Sequence, residues 1–180
     1  MSYSAALGVV PNRRPVELAR FRNASGWAPS IWNRLLVDRG FDGYAFGVDG
    51  TRHLHQLWHD IEALPSWQQV PLVLTFDTGI IPWQEYAWAA DRLDEFDERL
   101  PEQPGYVNHV PAMADLLRSN PEVPFFGVYG TSVTDNPFDP WDEEADADGS
   151  GIPFVRDGVP VVYLLERHRP MASEVLALTT

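Results

Sequence analysis

The sequence predicts an α/β fold: a small, mainly parallel sheet of three or four strands flanked by helices, with extra N- and C-terminal segments. Two observations predict it. Short apolar runs typical of buried strands alternate with segments of helical periodicity, and connections of roughly 10–20 residues allow right-handed crossovers. A chain of 180 residues that is 44% hydrophobic and 12% aromatic can also bury one substantial core.

The elements of the first half are predicted from caps, breakers and turn dipeptides. Pro15–Phe21 is compatible with a strand. Ser30 is a candidate N-cap for a helix that Gly40 would end. Tyr44–Val48 is a short aromatic stretch, and the turn dipeptide Asp49-Gly50 closes it.

The segment Thr51–Leu64 carries the clearest helical periodicity of the first half. Apolar residues recur there at spacings of three and four and form one stripe, comprising Leu54, Leu57, Trp58, Ile61 and Leu64. Pro65 then breaks the pattern. This periodicity places Trp58 in the core.

The second half is predicted to hold three strands and two helices. Leu72–Phe76 is a short apolar run, as expected of a strand buried on both faces, and Val123–Tyr129 and Val159–Leu165 are predicted as the second and third strands. Pro82–Leu100 and Pro111–Ser119 have helical periodicity. We therefore expect residues 1–28 to be an N-terminal extension, residues 29–130 to be the main domain, and residues 131–180 to pack on that domain.

The charge of the chain is strongly negative. Thirteen arginines and 26 acids give −13, and there is no lysine. Residues 1–39 carry a net +4 and residues 40–180 a net −17. Such a surface repels phosphate backbones, which argues against direct nucleic-acid binding, and it attracts basic partners.

Composition also limits the chemistry and the compartment. The chain has no cysteine, which excludes disulfides, thiolate catalysis and Cys-ligated zinc. No apolar run reaches the ~18 residues of a membrane helix, and no basic segment precedes the first apolar stretch. We therefore expect a cytoplasmic protein without membrane association.

A histidine-rich helix is the strongest candidate for chemistry. His55, His59 and Glu62 have the spacing i, i+4, i+7, which places them on one helix face. Two histidines one turn apart can chelate a divalent metal, with a carboxylate as third ligand. Gln56 follows the first histidine where zinc proteases have Glu. The alternatives are a solvated polar face, a binding surface and the metal site of a hydrolase.

An acidic loop, Asp135–Gly151, invites comparison with calcium sites. Glu144, Asp146, Asp148 and Gly149 match part of the spacing of a calcium-binding loop. The twelfth position of that loop should be a Glu that binds calcium, and here it is Val155. The loop is therefore interpreted as a solvated acidic segment. Residues 135–148 would serve as a docking segment if the protein were a non-catalytic accessory subunit.

The stretch from Tyr44 to Asp77 resembles barstar, a family of intracellular ribonuclease inhibitors. Phe46-Gly47-Val48-Asp49 matches that family's aromatic-Gly-x-Asn segment, and residues 55–60 (HQLWHD) match its helix. Trp67 matches a loop tryptophan, and residues 71–74 (PLVL) match a strand. Elements from Ile31–Arg39 to Val123–Tyr129 extend the resemblance over about residues 30–130.

The resemblance implies a barstar-like parallel fold and a set of contact residues. The family's two acidic helix positions are occupied here by His55 and His59. The implied partner-binding residues are Phe46, Asp49, His55, Trp58, His59, Asp60 and Trp67.

The function predicted from these observations is that of an acidic protein-binding module without enzyme activity, cofactor or resident metal. More specifically, the resemblance implies an inhibitor or immunity protein that blocks the basic active site of a nuclease toxin. The alternatives are a metal-dependent hydrolase that uses His55, His59 and Glu62, and an accessory subunit.

Overall fold

The chain forms an α/β fold in which helices pack on a four-stranded sheet. The computed structural model describes residues 3–10, 15–22, 26–41, 45, 47–76, 79–119, 122–131, 155–156, 159–160 and 162–177. No helix in these ranges is both long and apolar enough to cross a membrane.

The sheet is antiparallel throughout, so the predicted mainly parallel, barstar-like sheet is wrong. Its strands are β1 (Tyr3–Val9), β2 (Val16–Arg22), β3 (Ile80–Pro82) and β4 (Phe125–Thr131), in the order β2-β1-β4-β3. All three pairs in that order run antiparallel. The central strand β1 was missed because its sequence, YSAALGV, is rich in small residues, which have a low preference for strands.

The apolar run Leu72–Phe76, predicted as a strand, instead ends a helix. Helix α3 spans Ser66–Val73, and the chain then turns, with the Phe76 N–H donating to the Val73 carbonyl at 3.1 Å. Two tryptophan indoles of helix α1 (Trp27–Asp38) donate to this turn: Trp27 to the Leu74 carbonyl at 2.9 Å and Trp32 to the Thr75 hydroxyl at 2.8 Å. The polar groups of the turn are thereby satisfied without a neighbouring strand.

The segments that were predicted as helices are confirmed as helices, but their ends are shifted. Helix α1 spans Trp27–Asp38 and ends before Gly40, which has a φ of +80°. Helix α2 spans Val48–His59, so the predicted turn Asp49-Gly50 lies in its first turn, and a 3₁₀ turn, Ile61–Ala63, follows it. Helix α4 spans Tyr86–Arg99 after a 3₁₀ turn at Trp83–Glu85, and helix α5 spans Val110–Ser119.

The C-terminal part contributes less strand than predicted. Strands β5 (Val155–Arg156) and β6 (Val159–Pro160) form a separate antiparallel pair. Of the predicted strand Val159–Leu165, Tyr163 makes only an isolated parallel bridge with Gly79. A 3₁₀ turn, Glu166–His168, and helix α6, Arg169–Ala177, follow. The acidic loop Asp135–Gly151 lies outside the described residues.

Both faces of the sheet are covered. Side chains of one face, including Ala6, Ile81 and Phe126, join the large core formed with the helices. Alternate residues of β1, namely Ala5, Leu7 and Val9, face a smaller cluster. That cluster includes Ile80, Phe125, Leu164 and Ala172. Residues 3–22 therefore supply two of the four strands, and the C-terminal segment packs on the second face.

The close approach at Gly79 gives a stability prediction. A Cβ atom at this position would lie 2.2 Å from the Val73 carbonyl oxygen and 3.1 Å from that of Phe76. Because both obstacles are backbone atoms, β3 must shift, so we expect Gly79→Ala to lower the free energy of unfolding by about 2 kcal/mol. Urea denaturation measures this loss. Gly26→Ala is the control, since its Cβ would meet only the His109 ring, at an ordinary 3.5 Å; equal losses in the two variants would contradict the prediction.

Candidate functional site

The exposed face of α2 carries most of the predicted contact residues. Leu54 and Leu57 are buried and fix the inner side of this helix. Asp49, His55 and His59 are exposed on the helix, and Asp60 is exposed at its C-cap. These four residues are accessible to a partner.

The two predicted contact tryptophans pack elsewhere. Trp58 is half-buried, with its ring 4.3 Å from that of Phe76 and 5.0 Å from that of Tyr163. Trp67 lies on α3, and the Arg99 guanidinium stands 5.1 Å from its ring. The structure therefore does not join either tryptophan to the exposed face of α2. Phe46 lies outside the described residues.

The three candidate metal ligands are not gathered into a site. Helix α2 ends at His59, and Glu62 lies in the following 3₁₀ turn. The Glu62 carboxylate accepts hydrogen bonds from the Glu166 N–H at 2.9 Å and from the Tyr163 hydroxyl at 3.4 Å. Within the part of the chain that the structure describes, no group of three His, Asp or Glu residues could hold a metal ion.

A groove between α1 and α2 adjoins the exposed α2 face. It has a volume of about 330 Å³. Its lining, which we call the α1–α2 groove, comprises Leu36, Arg39, Phe41, His53, Gln56, Leu57, Asp60 and Leu64. The three leucines are buried and give the groove an apolar floor, while the polar side chains surround it.

An aromatic stack forms part of the groove. The rings of Phe41 and His53 lie 3.6 Å apart at an interplanar angle of 24°, and Phe41 is 39% exposed. Sequence reasoning missed Phe41, Arg39 and Gln56. The sequence offered one signal for Phe41: it is an aromatic residue directly after Gly40, beyond the predicted end of the helix and outside its apolar stripe.

Asp60 is the uncompensated anion of the groove. Its position at the C-cap of α2 places its carboxylate at the negative end of the helix dipole, where a cation is favoured. Its carboxylate makes no hydrogen bond or ion pair with the described residues, whereas Asp49 pairs with Arg52 at 3.4 Å. A carboxylate placed in this way can be stabilised by a cation that the described part of the chain does not supply.

A second polar cluster, here called the Arg34 cluster, consists of Ser30, Arg34, Asp97, Glu102 and Asn108. Arg34 is 1% exposed and donates to Asp97 at 2.8 Å, to Glu102 at 2.5 Å and to Asn108 at 3.0 Å. The Ser30 hydroxyl also donates to Glu102, and the Asn108 amide to Asp97. The cluster ties α1 to α4 and to the connection before α5.

The hydrogen bonds of the Arg34 cluster fix the charge of Glu102. Burial alone would raise the pKa of this carboxyl, but hydrogen bonds from Arg34 and Ser30 outweigh burial and hold the pKa below its ordinary value. Since both carboxylates of the cluster are already hydrogen-bonded, the cluster is suited to fastening elements together.

Comparison with known protein families, curated proteins and solved structures finds no match. The barstar resemblance therefore remains a prediction from sequence, and its expectation of a parallel sheet is corrected by the antiparallel one. The α1–α2 groove and the negative charge of the chain are the features that bear on function.

Proposed function

We propose that this protein is an acidic protein-binding module that docks onto a basic partner protein through the α1–α2 groove. The observation that carries the proposal is the Asp60 carboxylate, which has no partner among the described residues and lines the groove beside buried leucines. Arginine and lysine side chains have an apolar stem and a charged head, so they match a groove that is lined by buried leucines and by the Asp60 carboxylate.

The aromatic stack supports the same occupant. A guanidinium that enters the groove would approach the exposed part of Phe41, and a cation over an aromatic face is attracted by about 0.5–1 kcal/mol at an exposed site. The net charge of −13 would steer a basic protein toward this surface from a distance.

Arg39 adds a condition on the partner. Arg39 also lines the α1–α2 groove, and its guanidinium makes no ion pair with the described residues. A partner that presents an acid beside its basic residue would pair with both Arg39 and Asp60. A partner with basic residues alone would gain only the Asp60 contact and be repelled by Arg39.

The narrower form of the proposal is that the partner is a nuclease toxin whose basic active site is blocked. It is supported by the resemblance of residues 46–49 and 55–60 to barstar and by the exposure of Asp49, His55, His59 and Asp60. Small basic nucleases are therefore the first proteins to test, together with basic proteins that are not nucleases.

The test is a calorimetric titration of the full chain against this panel. We expect Asp60→Asn to weaken binding of the basic partner about tenfold or more, because a pairing worth about 1.4 kcal/mol changes affinity tenfold. Glu98→Gln is the matched control, since it removes one charge from an exposed position on α4, outside the groove. We expect it to change the affinity less than twofold.

The salt dependence of the binding rates distinguishes long-range electrostatic steering from direct contact with Asp60. The association rate should fall as salt screens the overall charge, in the parent protein and in both variants. The difference in dissociation rate between Asp60→Asn and Glu98→Gln should persist. Equal effects of the two variants, or no binding by any basic protein, would contradict the proposal.

A further inference from the structure

The C-terminal segment, residues 162–177, is a strap across the second face of the sheet. The Ile80 N–H donates to the Tyr163 carbonyl at 3.0 Å, which fastens the strap beside β3. Ala172, 2% exposed, lies in the cluster with Ala5 and Leu7, and Leu164 packs against that cluster, whereas Leu165 is buried in the large core. The strap therefore covers apolar surface that would otherwise meet water.

A buried histidine lies at the bend of the strap. His168 is fully buried, with its ring edge-on to Trp88 at 5.6 Å. Both of its ring nitrogens lack a hydrogen-bond partner among the described residues. Its Nε2 atom is 3.9 Å from the Glu85 carboxylate, beyond hydrogen-bond distance. This arrangement accommodates a neutral imidazole and offers a protonated one no bonded acceptor.

The charged groups around His168 are already paired with each other. Arg167 donates to the same Glu85 oxygen at 2.8 Å, and its guanidinium stands 3.8 Å from the Trp88 ring. These are the charged groups that face His168 from its own turn and from the turn before α4. Burial, assisted by the charge of Arg167, lowers the pKa of His168 to about 4.

The strap also contacts α2 and the turn after it. The Tyr163 ring packs against Trp58 at 5.0 Å, and the Glu166 N–H donates to Glu62. In contrast to the paired strands of the sheet, the strap makes one isolated β-bridge among the described residues, between Tyr163 and Gly79, and its polar contacts with Glu62 and Glu85 are exposed. Segments of this kind open at a lower free energy than the core.

We propose that residues 162–177 form an acid-released strap, in which protonation of His168 detaches the segment and uncovers Trp58 and the second face of the sheet. A protonated His168 would place a positive charge in a buried site. The carboxylate that lies near it among the described residues, that of Glu85, is already paired with Arg167, so the charge is costly and favours release of the strap. Opening exposes the imidazole to water, where the proton is accepted without that cost. The proposal does not depend on the function of the α1–α2 groove.

Single thiols can test the release because the chain has no cysteine. Ala172→Cys places a thiol on the buried side of α6, and Ser173→Cys places one on its exposed side. The reaction rates with 4,4′-dithiodipyridine are measured from pH 7.5 to pH 5. Protection is defined as the rate at position 173 divided by the rate at position 172. This ratio cancels the effect of pH on the reagent and reports how well the closed strap shields its buried side.

We expect this protection to fall about 30-fold between pH 7.5 and pH 5. This factor follows from the ordinary histidine pKa of 6.5 in the open strap and the lowered pKa of about 4 in the closed one. In the His168→Phe background, which keeps an aromatic ring against Trp88, protection should change less than about threefold. His168→Leu is the second background if the phenylalanine variant does not fold.

A third thiol separates local release from unfolding. Ala114→Cys lies fully buried on α5 and should stay protected at pH 5. The proposal is overturned if protection at position 172 does not depend on pH, if it falls equally in the His168 variants, or if the thiol at position 114 becomes reactive in parallel.

Discussion

Replacing Arg34 by methionine is expected to lower the free energy of unfolding by about 3–5 kcal/mol, because the change breaks a buried ion pair from one side. Arg34 is 1% exposed, and Glu102, with 10% exposure, would lose its principal cation. Methionine fills part of the volume but donates no hydrogen bond. The largely buried Glu102 carboxylate would be left without the cation that it faces in the parent protein.

The measurement is urea denaturation of the parent and the variant at neutral pH. Arg118→Met is the matched control, because Arg118 also pairs with two acids, Asp91 and Asp94, but at the surface with 40% exposure. We expect the control to lose less than about 1 kcal/mol. Similar losses in both variants would show that the Arg34 cluster does not fasten α1.

A spectroscopic readout accompanies the stability change. With Arg34 removed, Glu102 loses a hydrogen bond and a positive charge that both lower its pKa, while burial continues to raise it, so its pKa should rise. Carbon-13 NMR of the Glu102 carboxyl follows this titration. A pKa that stays low in Arg34→Met would contradict the assigned cause.

Acidification from pH 7 to pH 4 is expected to lower the free energy of unfolding by roughly 3 kcal/mol through His168 alone. The unfolded chain takes up a proton near pH 6.5, while the folded chain does so only near the lowered pKa of about 4. Between these values the unfolded state binds more protons. Stability is therefore greatest above pH 6.5 and is lost as the pH falls toward 4.

The measurement is urea denaturation at half-unit steps of pH, in the parent and in His168→Phe. The variant should lack this contribution, although His109, whose pKa burial also lowers, adds a loss of the same sign. Glu102 loses its contribution in a more acidic range, since its pKa is held below 4.5. Parallel pH profiles for parent and variant would contradict the prediction.

The sequence predicted the helices well because their periodicity reports one buried face. Leu54, Leu57 and Ile61 are buried as their spacing required, and Gly40 ends α1. The apolar run Leu72–Phe76 was misassigned because a short run buried on all sides has no period that separates helix from strand. The hydrogen bonds from Trp27 and Trp32 that settle its conformation come from distant residues.

The candidate site was predictable only in part. Exposure of Asp49, His59 and Asp60 followed from their place opposite the apolar stripe of α2. The groove could not be predicted, because it requires the packing of α1 against α2. Trp58 illustrates the same limit: its periodicity indicated the core, but its contact with Tyr163 depends on how the C-terminal segment returns to the sheet.

The central position of β1 has a consequence for how the chain reaches its native state. Ala6 of β1 pairs with Val128 of β4, so the two middle strands of the sheet come from distant parts of the chain. Contacts between such distant residues slow folding, because a long loop must close before they form. During synthesis, α1 to α5 emerge before β4 exists. Until then the β1–β2 hairpin presents an unpaired edge to other chains, and nascent protein would be most prone to aggregate at this stage.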